Sequence, residues 1–120
     1  MFYKKLEDAP KFVAGDHTHL RELMHPTHDA VAIGYSLAHA SVPVGKASLP
    51  HRLVGSETYY ILQGQGQMHI EDRVFEVQKD SVFLVPPNAL QYLKNTGDEP
   101  LVFLCIVEPY WQESEEEIMD

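Results

Sequence analysis

The tightest constraint on this chain is how often it is punctuated. From Ala30 to Glu108 turn-forming residues return every few positions. The stretches between them are short and rich in β-branched and aromatic side chains. "AVAIGYSLAHASV" runs into the loop "PVGKASLP", with Gly45 as its pivot. "ETYYILQ" breaks at Gly64-Gln-Gly66, "QMHI" at Glu71-Asp72, and "RVFEV" at Lys79-Asp80. "SVFLVPP", "ALQYLKN" and, beyond the turn "TGDEP", "LVFLCIV" complete the series. Such spacing leaves little room for ordinary helices and predicts an all-β sandwich or barrel. "LVFLCIV" is apolar on both faces. One face can fill an interior, and the other needs a second layer or a partner subunit. Together with the polar amino-terminal segment, which suits strand exchange, this predicts a homodimer.

The punctuated region has different flanks. Residues 1–29 are polar and broken by prolines and histidines. They read as an arm, with one helical turn expected around Leu20 to Met24. Residues 30–110 read as the barrel. Residues 111–120, "WQESEEEIMD", read as an acidic tail that is loose or forms a short helix.

The chain has 120 residues, which fits one domain, and 44% are hydrophobic, enough for a modest core. With 18 acidic and 9 basic residues its formal charge is -9. That surface repels nucleic acid and anionic membranes, so neither is an expected partner. Cys105 is the one cysteine, so no intrachain disulfide is available. The amino terminus lacks the apolar run of a signal peptide, and no stretch has the length of a membrane span. These features predict a cytoplasmic protein.

The chemistry concentrates in "PHRLVGSETYYILQGQG" and "DSVFLVPPNALQYLKN". Gly45, His51, Glu57 and Gly64 in the first region, and Asp80, Pro86, Asn88, Gln91 and Asn95 in the second, resemble the two motifs of the cupin family. Leu53 and Gln91 stand where that family's second and third histidines fall. Asp80 and Asn88 stand where it has glycines, and both residue types tolerate a left-handed turn. The resemblance covers about the last three quarters of the chain. It implies a double-stranded β-helix, or jelly-roll, barrel. It also implies that His51, Leu53, Glu57 and Gln91 converge at the barrel mouth, with the strand of Phe103 and Cys105 beneath them.

On that basis His51, Glu57 and Gln91 are candidate ligands for one divalent Zn, Mn, Fe or Ni ion, with His25 and Cys105 as further candidates. Leu53, Tyr59, Gln91 and Phe103 are candidate ligand-binding residues. His51 and Glu57 are the candidate catalytic pair. With metal, the family's isomerase, cyclase or dioxygenase chemistry is implied, on a small oxygen-rich molecule. Without metal, Leu53 dries the pocket, and His51 with Glu57 becomes an acid–base pair. The other expectation is a metal-free ligand binder or sensor without turnover. His17 and His19 have a spacing a metal can use, but lie in a polar segment where solvation is the ordinary fate. His39 is expected to point outward, and His69 to lie on a strand surface.

Overall fold

A computed structural model describes residues 1–119. Among the described residues, eleven strands form two antiparallel sheets. They are β1 (Lys11–Val13), β2 (His19–Met24), β3 (Ser36–Val42), β4 (His51–Leu53), β5 (Ser56–Gln63), β6 (Gln65–Ile70), β7 (Arg73–Gln78), β8 (Val82–Val85), β9 (Gln91–Asn95), β10 (Leu101–Glu108) and β11 (Glu116–Ile118). One sheet has the order β1-β2-β3-β10-β5-β8, and the other β11-β4-β9-β6-β7. Short 3-10 turns at Leu6–Asp8 and Glu113–Glu115 precede β1 and β11. The all-β expectation holds, and the architecture is the jelly-roll barrel.

The turns explain how so many strands fit. Gly45 and Gly64 adopt φ of 77° and 89°, and Asp80 and Asn88 adopt 68° and 64°. All four occupy the left-handed region, so the two residues that stand in for glycine keep its backbone role. A side chain at Gly64 would also meet the Pro100 carbonyl oxygen at 2.9 Å. Buried Asn95 clasps the next turn. Its amide donates to the carbonyls of Val42 and Glu99, and its oxygen accepts from the Gly97 N–H.

Strand alternation then builds the core. In β10, Leu101, Phe103, Cys105 and Val107 face inward and are buried, while Ile106 faces out. Ile61, Met68, Leu93 and Leu101 fill the space between the sheets. Along the outer face of the larger sheet one register row reads Lys11, Arg21, His39, Leu104, Tyr60, Val82. It is basic at one end and apolar at the other, and it places His39 outward.

Both flanks differ from expectation. The segment expected to make a helical turn at Leu20 to Met24 lies in strand β2, paired to β3 through His19–Ser41, Leu20–Ala40 and Arg21–His39. Helix propensity over five residues is a weak force beside a free sheet edge with apolar positions to cover. The acidic tail likewise becomes β11. It pairs with β4, and the Met119 N–H adds a bond to the Pro50 carbonyl.

Candidate functional site

Between the sheets lies a cavity of about 150 Å³. Its body is apolar, formed by Leu20, Ala38, Ala40, Leu53, Leu93 and Phe103. Asp16, His51, Glu57 and Glu116 gather at its mouth. Four parts of the chain supply them: the β1–β2 turn, β4, β5 and β11.

His51 is 2% exposed. Its Nδ1 lies 2.8 Å from the Leu49 carbonyl oxygen, so Nδ1 carries the proton and donates it there. That leaves Nε2 facing the cavity, the arrangement that orients a metal-binding imidazole. Nε2 is 3.8 Å from Asp16 Oδ2 and 3.9 Å from Glu57 Oε1. Burial disfavours charge on the ring. The Glu57 and Asp16 carboxylates and the Leu49 carbonyl outweigh it and raise the His51 pKa to about 9.

Asp16 is held by its own turn. Oδ1 accepts from the Thr18 N–H at 3.1 Å and the Thr18 hydroxyl at 2.7 Å. Its carbonyl accepts from the Leu49 N–H at 2.7 Å. Oδ2 is thereby aimed at His51. Glu116 enters from β11, opposite Leu53 in register. Burial raises its pKa, as do the Asp16 and Glu57 charges, and His51 opposes them. Donor atoms of Asp16, His51 and Glu116 all lie within 4.8 Å of one another.

Behind them is a buried polar triad. The Tyr59 hydroxyl donates to Gln91 Oε1 at 2.5 Å, and Gln91 Nε2 donates to Glu57 Oε1 at 3.0 Å. Tyr59 also stacks on Phe83.

The structure thus brings some sequence candidates together and removes others. His51, Leu53, Glu57, Tyr59, Phe103 and Cys105 line the cavity. Gln91 does not. Its oxygen accepts the Tyr59 proton at 2.5 Å and its amide donates to Glu57, so, away from the cavity lining, it braces Glu57 where a metal ligand was expected. His25 also lies elsewhere. Its Nδ1 accepts from the Thr27 N–H, and Nε2 therefore donates to the Trp111 carbonyl at 2.7 Å. Both ring nitrogens are engaged, so His25 anchors the segment leading to the tail and does not supply the missing imidazole. The same engagement weakens the nearby trio Glu22, His25 and His28 as a metal group. The Cys105 Sγ sits 3.9 Å from the Ala38 carbonyl, and burial, then the Glu57 and Asp16 charges, push its pKa well up, so it stays a thiol.

Sequence reasoning missed Asp16 and Glu116. Asp16 followed by Thr18 is an Asx-turn pattern, which a reading of local structure can find. Glu116 had no signal beyond an acidic run.

Comparison with known proteins agrees with the fold. Residues 38–107 match the cupin domain. The chain belongs to the cupin family. The uncharacterized protein MJ1618 of Methanocaldococcus jannaschii is 36% identical to this cupin over 110 residues, covering 91% of this chain and 87% of its own. Among solved structures, Lactobacillus farciminis oxalate decarboxylase in a formate complex superposes with TM-score 0.81 at 22% identity, over 94% of this cupin. The match spans about a third of the decarboxylase, 34% of its chain. The polyketide cyclase RemF of Streptomyces resistomycificus gives 0.78 at 18% identity, covering 90% and 79% of the two chains. A variant of Streptomyces PAC13 with uridine gives 0.78 at 20%, covering 100% and 92%. At these identities the superpositions speak for the fold. Among the described residues, no helix is long and apolar enough to cross a membrane.

Proposed function

We propose that this cupin binds one divalent transition metal at the barrel mouth and acts there on a small oxygen-bearing molecule. His51 Nε2 with the carboxylates of Asp16 and Glu116 would hold the ion, and Glu57 lies within reach. The observation that carries this reading is the convergence of these three donors within 4.8 Å, with the His51 lone pair turned toward them. One imidazole and several carboxylate oxygens suit Mn, Fe, Zn or Ni. Such an ion, when bound, supplies Lewis-acid polarisation of a ligand oxygen.

The chain's own residues do the rest. Leu53, Phe103 and Leu20 keep bulk water from the apolar end. Thr18 fixes the Asp16 carboxylate, and Gln91 fixes Glu57. Glu57 Oε1, held by Gln91 at 3.0 Å, is placed to move a proton on the bound molecule. Isomerisation, cyclisation and dioxygen chemistry are the reaction classes proposed for it.

The deciding experiment is elemental analysis of untagged wild-type protein beside His51→Ala. Near-stoichiometric metal that vanishes in the variant supports the reading. Protein that holds no metal, and whose thermal stability does not rise when metal is added, sinks it. A metal-free ligand binder is the second reading. His51, with its pKa of about 9, would then carry a proton at neutral pH and balance one carboxylate by itself.

The proposed assembly is a homodimer in a reducing cytoplasm. Tyr60, Val82, Leu84 and Ile106 on the outer face of the larger sheet are the exposed apolar groups that support it.

A further inference from the structure

We propose that the cavity selects a small uncharged molecule, with an apolar body of about benzene size and one hydroxyl or carbonyl oxygen, over carboxylic acids and phosphate esters. This rests on reading the cavity as the functional site.

Three observations carry it. The first is size. The volume is about 150 Å³. An apolar cavity of about 150 Å³ in another protein holds one benzene. A sugar phosphate does not fit in such a space, and its hydroxyls would lose water without finding partners.

The second is charge. Among the described residues, neither Lys nor Arg lines the cavity, whereas Asp16, Glu22, Glu57 and Glu116 do. An anionic group entering the mouth meets carboxylates and no fixed cation except the His51 ring. A bound dication offsets two of the four carboxylates and leaves no surplus positive charge. An anion therefore gives up its hydration for one imidazole ring and neutral donors, against the surrounding carboxylates.

The third is the kind of polar handle present. Ser36 Oγ accepts from the Trp111 N–H, and Ser48 Oγ accepts from the Leu93 N–H, each at 2.9 Å. Both residues line the cavity and are buried. Each hydroxyl accepts one backbone bond, and among the described residues neither donates one, so each hydroxyl proton is available to a ligand oxygen. Two neutral donors beside an apolar wall suit a phenol, an enol or a small ketone.

Phenol, benzoate and glucose 6-phosphate are the probes. Binding is measured by calorimetry and ligand-observed NMR on metal-loaded and on EDTA-treated protein, with metal content recorded for each sample. Phenol should bind at least about tenfold more tightly than benzoate, and glucose 6-phosphate should show no binding. Ala40→Leu, which fills the cavity, should weaken phenol at least about tenfold. Asp16→Asn in EDTA-treated protein should narrow the gap between phenol and benzoate. Benzoate or glucose 6-phosphate binding as tightly as phenol overturns the proposal. So does phenol binding that Ala40→Leu leaves unchanged, because phenol then sits elsewhere. If Ala40→Leu does not fold, the wild-type ranking decides. Phenol preference in protein that takes up no metal removes the metal reading and leaves this one intact. Metal-loaded protein that prefers benzoate does the reverse.

Discussion

Asp16 and His51 face each other across 3.8 Å although they come from different sheets, Asp16 from the β1–β2 turn of one and His51 from β4 of the other. The link is covalently remote but mechanically short. The Asp16 carbonyl holds the Leu49 N–H, and the Leu49 carbonyl holds the His51 ring. Each orients the other.

Thr18 offers a test of that orientation. Its hydroxyl and N–H fix Asp16 Oδ1, and it is not itself one of the proposed ligands. Thr18→Val should lower metal affinity roughly 10- to 100-fold, as loss of an orienting partner does at other metal sites. Stability should fall by only about 1 kcal/mol. Metal titration and chemical denaturation of the same preparation separate the two effects.

The buried triad predicts a larger structural cost. In Gln91→Leu the Tyr59 hydroxyl loses its shorter bond and keeps only its 3.3 Å donation to Glu57, and Glu57 loses the amide that braces it. Unfolding free energy should drop by about 1–3 kcal/mol in all. Urea denaturation checks this, and an unchanged midpoint would mean that water or a ligand replaces the amide.

In metal-free protein, His51 gives the pH dependence a sign. Its folded pKa, about 9, lies above the ordinary 6.5. Folding therefore favours the protonated ring, and this stabilisation is fully present below about pH 6.5. It declines above that and is lost as pH rises through about 9. Denaturation midpoints of EDTA-treated wild type should fall between about pH 6 and about pH 10 more than those of His51→Gln. Equal slopes would show that the ring titrates normally.

Ending the chain after Gln112 removes β11, and with it Glu116 and the strand that pairs with β4. The truncated protein should lose metal and show faster hydrogen exchange at His51 to Leu53. Exchange that stays slow there would mean β4 is held by β9 alone.

Replacing Ile106 and Leu84 by aspartate tests the outer face. Light scattering should give twice 13.7 kDa for wild type and a shift toward monomer for the variant. A monomeric wild type would leave that face without its proposed cover.

Much of the barrel was legible along the chain because its determinants are local. Gly45, Gly64, Asp80 and Asn88 mark turns by what their own backbones tolerate. The alternation of Leu101, Phe103, Cys105 and Val107 assigns an inward face. His51, Leu53 and Glu57 could be placed at the mouth through their motif spacing. The roles of Gln91 and His25 were not legible. Whether a glutamine oxygen faces a cavity or a tyrosine hydroxyl depends on Tyr59, 32 residues away. His25 turned away because the Trp111 carbonyl, 86 residues on, accepts its proton.

By itself the sequence determined the barrel, since turn chemistry and two-residue periodicity act between neighbours. Only the tertiary structure decided the composition of the site. β11 adds beside β4, and the β1–β2 turn closes over the mouth, because both edges otherwise leave backbone groups unpaired. That closure carries Asp16 and Glu116 to His51. No local pattern encodes it, because the meeting depends on which sheet edges remain free once the barrel has formed.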